Sequence, residues 1–276
     1  MIVVLGEVMT DVIAVHDRRL AVASDTPARI TLRPGGAGAN TAAWLAYAGV
    51  PVALIARTGD DSAADLALKG LDGVDLRVAR DPERPTGTCI VLVAPGGERT
   101  MLPDPGANAA LASTDLPDDL FAEGNVLHVS GYSLMRTGSR GAALEAMARA
   151  REAGMLVSVD PASAALLRGD PAFLERARPV DLLLPNADEL AALGDGLPGV
   201  KETVVKLGAG GARWSDGART ISTRALPTDD VVDTTGAGDA FAAGFLSAWP
   251  GDPREALAAG ARLAAQAVAQ AGGRPA

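Results

Sequence analysis

Cysteine and histidine are nearly missing from this chain of 276 residues, which contains one Cys and two His. Cys89 has no second cysteine with which to form an intramolecular disulfide. Even together with His16 and His128, it offers few of the nitrogen and sulfur ligands that zinc requires. The composition therefore excludes a disulfide framework within the chain and argues against a transition-metal centre.

Positive charge is also scarce, because 25 basic residues face 34 acidic ones and the formal net charge is −9 at pH 7. Such a surface repels a polyphosphate backbone, so no nucleic-acid partner is expected. No apolar run approaches the roughly 20 residues of a membrane span. Glu7 and Asp11 stand near the start, where a signal peptide would carry a basic segment. We therefore expect a cytoplasmic protein without a membrane partner.

Short apolar segments alternate with alanine-rich segments of helical periodicity. Strands are predicted at 2–5, 52–56, 126–129, 156–159, 182–184 and 204–207, and helices at 40–48, 140–153, 187–193, 239–247 and 254–271. Strands that alternate with helices in this way indicate βαβ units. The pattern predicts an α/β fold with a mostly parallel sheet.

Two segments, 11–33 and 85–104, contain strand-like pieces without a helix between them. The pieces are 12–15, 29–32, 88–93 and 99–102, and the sequence Ala94-Pro95-Gly96-Gly97 between the last two is a hairpin signal. One interpretation is a small antiparallel sheet that projects from the α/β body. Ordinary surface loops explain the pattern equally well.

A glycine-rich turn at residues 233–239 (DTTGAGD) leads directly into an apolar helix. The free N–H groups of a first helical turn bind anions, and the glycines allow a phosphate to approach the backbone. Asp239 adds a carboxylate that can take a proton from an attacking hydroxyl. The alternative is that Asp239 only caps the helix. No Walker A pattern and no complete G-x-G-x-x-G after the first strand occur, which argues against a P-loop NTPase and a dinucleotide dehydrogenase.

This run and a second one resemble the signatures of the ribokinase, or PfkB, family of carbohydrate and nucleoside kinases. Residues 233–239 match the C-terminal signature, and the G-G-x-x-x-N pattern of residues 35–40 matches the N-terminal one. Further landmarks follow in family order at 106–108 (GAN), 186–189 (NADE) and 206–211 (KLGAGG). The resemblance implies one ribokinase-like domain over 1–276, a three-layer α/β/α fold with a mostly parallel central sheet. It also implies that 11–33 and 85–104 form a small β-sheet lid over the substrate.

The resemblance implies transfer of the γ-phosphoryl group of ATP to a primary hydroxyl of a small sugar or sugar acid. Asp239 matches the family's catalytic base. The backbone N–H groups that match its anion hole belong to Gly236, Ala237 and Gly238. The positions that match its substrate contacts are Asp11, Gly35, Gly36 and Asn40.

For the cofactor, the resemblance implies ATP with Mg²⁺. The positions that match nucleotide contacts are Asn186, Lys206, Gly208, Gly210, Gly211 and Thr235. Asn186 and Glu189 match a motif that acts on Mg²⁺ through water, although a helix capping box explains the same two residues. Asp233 matches a ligand of a monovalent cation, which would be K⁺.

Three other functions are compatible with parts of the pattern. The same motifs serve nucleoside kinases of the adenosine or pseudouridine type. Aromatic residues make up 3% of the chain, so stacking of a base has little support, and Trp44, Tyr47, Phe121 and Tyr132 are expected in the core. A sugar-binding regulator without catalysis would not need Asp239, and a dehydrogenase would need the G-x-G-x-x-G fingerprint that this chain lacks.

The resemblance also bears on the oligomeric state. The lids of this family often pack together in pairs, so a homodimer through the lid is expected.

Overall fold

A computed structural model describes residues 1–194, 196–228 and 231–276. The strands in chain order are β1 (Ile2–Leu5), β2 (Met9–His16), β3 (Ala28–Gly35), β4 (Val52–Gly59), β5 (Val74–Asp81), β6 (Gly87–Val93), β7 (Arg99–Asp104), β8 (Val126–Ser130), β9 (Leu156–Asp160), β10 (Val180–Leu183), β11 (Val200–Lys206), β12 (Ala212–Ser215) and β13 (Thr220–Thr223). The helices are α1 (Ala37–Tyr47), α2 (Ser62–Ala67), α3 (Gly131–Met135), α4 (Thr137–Glu152), α5 (Ala164–Arg168), α6 (Phe173–Ala177), α7 (Ala187–Leu193), α8 (Ala237–Ala248) and α9 (Pro253–Val268).

The central sheet has the order β13-β12-β11-β10-β9-β8-β1-β4-β5. The strands from β11 to β5 in this order pair in parallel, and β12 at one edge pairs antiparallel with both β11 and β13. Helices cover both faces. Val4 belongs to the core that includes Trp44 of α1 and Phe245 of α8, whereas Leu5 belongs to the core that includes Met147 of α4. Apolar side chains on both faces of β1 explain its unbroken hydrophobic sequence, and the predicted α/β class is confirmed.

A separate small sheet has the order β3-β2-β6-β7, so the projecting strands form as predicted and the loop alternative is wrong. The prediction of an antiparallel sheet is wrong for its middle pair, because β2 and β6 run parallel. Their directions follow from the central sheet. β2 leaves soon after β1 and β6 soon after β5, and β1, β4 and β5 all point the same way.

Side chains alternate between the two faces of this small sheet. One face carries Asp11 in register with Cys89 and Pro103, and these three residues line the large cleft described below. The opposite face carries a row of apolar side chains paired across all four strands: Leu32, Val12, Ile90 and Leu102. The sheet therefore has a cleft face and an outer face.

Both signature helices begin earlier than predicted, α1 at Ala37 and α8 at Ala237. Several elements were not predicted at all, among them β5, β12 and β13. β5 and β13 are the edge strands and β12 is next to the edge, and all three have exposed or half-exposed positions, so they lack the continuous apolar run of a buried strand. Among the described residues, no helix has both the length and the apolar character needed to cross a membrane.

Candidate active site

A cleft of about 950 Å³ lies between the central sheet and the cleft face of the small sheet. Ser130, Asp160 and Lys206, the last residues of β8, β9 and β11, line it. The cleft therefore opens at the carboxyl ends of the parallel strands, where α/β proteins bind ligands. The first turns of α1 and α8 line the same space, so the two signature motifs meet there although they are far apart in the chain.

Glycine is required where each signature helix begins. Gly36 precedes α1 with φ +95°, and a β-carbon on it would lie 2.4 Å from the carbonyl oxygen of Glu7. Gly236 precedes α8 with φ +71°, and a β-carbon on it would lie 2.6 Å from Cα of Gly273. Both values exclude a side chain. Both turns line the cleft, so no side chain of Gly36 or Gly236 separates it from the helix starts.

Asp239 is the third residue of α8 and reaches into the cleft. Its Oδ2 accepts a hydrogen bond of 2.9 Å from Nδ2 of Asn40, the buried amide of α1. Burial raises the pKa of Asp239 to about 7, against the lowering effect of the Asn40 hydrogen bond. The residue that caps α8 is Gly236, which makes no side-chain cap, so the alternative of Asp239 as a simple N-cap is wrong.

The far side of Asn40 is held by Arg274, a residue that no sequence motif indicated. Nε of Arg274 lies 3.4 Å from Oδ1 of Asn40, and Nη2 donates to the carbonyl oxygen of Gly35 at 2.8 Å. Nη1 donates to the carbonyl oxygen of Lys69, and the side chain is buried. Beside it, the Trp44 indole donates to Gly273. The C-terminal segment thus supports the floor of the cleft.

Asp11 lies inside β2 on the cleft face and not in a turn. Burial raises the pKa of Asp11 to about 6, and the charge of Arg274 opposes that shift. Burial likewise lowers the pKa of Arg274 to about 10, and Asp11 opposes that change. Each charge therefore supports the ionised form of the other.

Lys206 places a positive charge on the opposite wall. It forms an ion pair with Asp160, and its Nζ lies 3.7 Å from where a β-carbon of Gly238 would be. Burial alone would lower the pKa of Lys206, but Asp160 and Glu189 outweigh it and raise the pKa. A charged amine therefore stands beside the N–H groups of the glycine turn, as a polyphosphate site needs.

Asn186 and Glu189 form the capping box of α7. Oδ1 of Asn186 accepts from the Glu189 N–H at 2.8 Å, and the Glu189 carboxylate accepts from the backbone N–H and the side-chain amide of Asn186, each at 2.8 Å. Both residues also line the cleft. The capping interpretation is confirmed, and it leaves the Glu189 carboxylate facing the same space. Burial and Asp160 raise the pKa of Glu189, and Lys206 opposes them.

The remaining candidates for nucleotide contact lie around the same wall. Thr235, Gly208 and Gly211 line the cleft, and Gly210 belongs to the same short turn after β11. Asp233 is the first residue of the glycine-rich turn and is paired with Arg99 from β7, a second residue that sequence reasoning missed. Among the described residues, no group of three or more His, Cys, Asp or Glu could hold a metal by itself.

Known proteins resemble this chain in sequence and in fold. The family model described as pfkB family carbohydrate kinase matches residues 1–276. The chain belongs to this family. It is 35% identical over 239 residues to an ATP-dependent ribose-1-phosphate kinase of Halopiger xanaduensis, an alignment that covers 81% of this chain and 76% of the relative.

Two solved structures show how far the PfkB likeness extends. Adenosine kinase from Sinorhizobium meliloti has a TM-score of 0.88 at 26% identity, covering 99% of this chain and 95% of that one. Aminoimidazole riboside kinase from Salmonella enterica, complexed with aminoimidazole riboside and an ATP analog, has a TM-score of 0.81 at 27% identity and covers 99% and 94%. The fold is ribokinase-like, and the protein is a sugar or nucleoside kinase that transfers a phosphoryl group.

Proposed function

We propose that this PfkB kinase transfers the γ-phosphoryl group of ATP to a primary hydroxyl of a small sugar or sugar acid. One observation carries the proposal. A carboxylate whose pKa lies near neutrality, Asp239, sits in the first turn of α8, and residues 236–238 just before it line the same cleft. A base and an anion site side by side are what phosphoryl transfer requires.

Asp239 removes the proton of the acceptor hydroxyl. A base works best when its pKa is close to the working pH, because it is then both ionised and basic enough to take a proton. The hydrogen bond from Asn40 fixes the orientation of the carboxylate. The N–H groups of Gly236, Ala237 and Gly238 then stabilise the charge that develops on the transferred group.

ATP occupies the wall formed by the turn after β11 and the start of α8. The amine of Lys206 pairs with the negative charge of the phosphates there. Thr235, Gly208 and Gly211 line the same wall. Mg²⁺ would lie next to Glu189, with metal-bound water molecules between the ion and the carboxylate. Each bond of the Glu189 carboxylate to Asn186 leaves lone pairs that can accept from metal-bound water, and Mg²⁺ keeps most of its waters in proteins. When bound, Mg²⁺ neutralises phosphate charge.

The acceptor lies at the other end of the cleft. Asp11 accepts hydrogen bonds from hydroxyl groups, and the Gly35–Gly36 turn lets a sugar lie against the backbone. Arg136 also lines the cleft, with its guanidinium 5.0 Å from the centre of the Tyr132 ring. Arg136 can pair with the carboxylate of a sugar acid.

A nucleoside acceptor is the second candidate, because the cleft face of the small sheet is apolar. Cys89, Val91, Met101 and Pro103 line the cleft above the sugar position. Tyr132 lines it as well, so its expected place in the core was wrong, as was that of Tyr47, which is exposed. An apolar roof with one aromatic ring suits a heterocyclic base. The solved relative with a bound riboside supports the same possibility.

The outer face of the small sheet supports a homodimer. Leu32, Ile90 and Leu102 are 56%, 41% and 53% exposed and form one row across the sheet. An exposed apolar row on a sheet is a protein-binding surface, and a second copy offers an identical row. Pairing of the two lids would cover both.

An acceptor panel tests the proposed function. ATP consumption and the phosphorylated product are measured with pentoses, hexoses, sugar acids and nucleosides, each with and without Mg²⁺. We expect Mg²⁺-dependent phosphorylation of at least one sugar or sugar acid. Turnover of nucleosides alone would select the second candidate, and binding without turnover throughout would select the silent regulator.

A further inference from the structure

The carboxylate of Asp233, the first residue of the glycine-rich turn, is surrounded by hydrogen-bond donors. Its Oδ1 accepts from the Thr235 N–H at 2.8 Å, and its Oδ2 accepts from the Gly272 N–H at 3.0 Å. The guanidinium of Arg99 forms an ion pair with Oδ1. A full positive charge and two N–H groups therefore already meet this carboxylate.

Arg99 also holds a second atom of the same turn. Its Nη1 donates to the hydroxyl oxygen of Thr235 at 2.6 Å, while its Nη2 bonds to Asp233. The guanidinium thus bridges the two residues that lead into Gly236. It comes from β7 of the small sheet and not from the α/β body.

A monovalent cation does not fit this arrangement. Such an ion needs several oxygen ligands with free lone pairs, but the carboxylate faces N–H donors, and the Thr235 hydroxyl already accepts from Arg99. A guanidinium on the same carboxylate would also repel a second positive charge. The residues around Asp233 therefore disagree with the K⁺ site that the family resemblance implies.

We infer that Arg99 is a positioning residue whose guanidinium replaces the monovalent cation at this turn. It neutralises Asp233 and ties Asp233 to Thr235, so that the N–H groups that follow at Gly236 and beyond are aimed into the cleft. The inference rests on the proposed kinase activity, since its benefit is a preorganised anion hole. The side chain of Arg99 thus takes the role that a monovalent cation from solution would otherwise have.

Arg99 belongs to the small sheet, so any movement of that sheet also moves its guanidinium. The bridge to Asp233 is formed with that sheet over the cleft. Opening the sheet withdraws the positive charge and leaves the turn without its tie. The tie is therefore made while the sheet covers the cleft, which is the arrangement that keeps water away from the transferred group.

The wild-type response to K⁺ is the first test. Initial rates are measured while K⁺ replaces tetramethylammonium at constant ionic strength. We expect no change, because the guanidinium already occupies the position. A severalfold activation specific to K⁺ would overturn the inference.

The variant Arg99→Met keeps the apolar stem and removes the charge. We expect kcat to fall roughly 10-fold to 100-fold, as for loss of a hydrogen bond to a charged group, with a smaller change in KM. Added K⁺ or guanidinium should restore part of kcat, and Arg99→Lys should retain part of it. A kcat equal to that of the wild type, or a loss that neither cation relieves, contradicts the inference.

Arg29→Met is the matched control, because Arg29 is an exposed arginine of the same sheet on β3. It should keep the wild-type rate and show no response to either cation. A similar loss in both variants would mean that general charge on the sheet matters, and the inference would be wrong.

Thermal unfolding separates this inference from the proposed function. A ligand that binds only the folded state raises Tm. K⁺, compared with tetramethylammonium, should raise the Tm of Arg99→Met and leave the wild type and Arg29→Met unchanged. If none of the three proteins phosphorylates any acceptor, the kinase proposal fails, while the Tm comparison still decides whether Arg99 stands in a cation position.

Discussion

Nδ2 of Asn40 lies 2.9 Å from Oδ2 of Asp239, across a sequence separation of 199 residues. The bond joins the first turn of α1 to the first turn of α8, so the two signature motifs form one structural unit. It also acts on chemistry. An N–H donor stabilises the ionised carboxylate and opposes the burial that raises its pKa.

Replacing Asp239 by Asn should remove the base and keep the shape of the cleft. We expect kcat to fall by roughly 10²–10⁴-fold, the usual contribution of general base catalysis. Binding of ATP, followed by calorimetry, should persist. Asp72→Asn, at an exposed position, is the control and should keep full activity. Undiminished turnover in Asp239→Asn would refute the assignment of the base.

The activity of the wild type should depend on pH through Asp239. The base must be ionised, so kcat/KM should decline as the pH falls through about 7. In Asn40→Ala the carboxylate loses a donor, and the midpoint of the decline should move to higher pH. The measurement is the midpoint of the pH profile of kcat/KM in the wild type and in Asn40→Ala. A midpoint that is unchanged in Asn40→Ala would show that this hydrogen bond does not set the pKa.

Asp239 should lower stability at alkaline pH. Its pKa is higher in the folded protein than in the unfolded chain, so the folded state binds the extra proton and loses stability as the pH rises toward about 7. Above that value Asp239→Asn should raise the free energy of unfolding by on the order of 2 kcal/mol, because the variant has no charge to bury. Near pH 4 the variant and the wild type should unfold alike. Denaturant unfolding at both pH values checks this, and equal effects at both would contradict it.

Arg274 should matter for both stability and acceptor binding. Arg274→Met leaves the buried carbonyl oxygen of Gly35 without its donor, which costs about 1–3 kcal/mol, and it also removes the bond to the carbonyl oxygen of Lys69, an exposed residue. The variant also loses the contact of Arg274 with Asn40 and the positive charge near Asp11. The KM for the acceptor should therefore rise more than the KM for ATP. Arg262→Met, at an exposed position of α9, is the matched control. If the ratio of KM for the acceptor to KM for ATP is the same in both variants, Arg274 has only a structural role.

The proposed dimer can be tested on the outer face of the small sheet. Leu32→Lys places a charge in the exposed apolar row and should convert a dimer into a monomer in sedimentation velocity. Leu166→Lys, at a similarly exposed leucine of α5, should leave the mass unchanged. A wild type that sediments as a monomer at micromolar concentration would remove the proposal.

Much of the α/β body was predictable because its central strands are buried on both faces. β1, for example, is apolar throughout, since each of its side chains meets a helix layer. The edge strand β5 escaped prediction because its exposed side needs polar residues, and its sequence then loses the apolar run. The parallel pairing of β2 with β6 depends on where two distant strands leave the central sheet, which no local pattern records.

The chemical parts of the site were visible in the sequence, because a side-chain-free turn and an adjacent carboxylate are local features. Gly236 and Asp239 are three residues apart, and their types alone indicate anion binding next to a base. Arg99 and Arg274 are different. Nothing near either residue in the chain marks it, and each acquires its role only when folding brings it to Asp233 or to Asn40. The near-neutral pKa of Asp239 arises in the same way, because burial is a property of the packed protein and not of any segment.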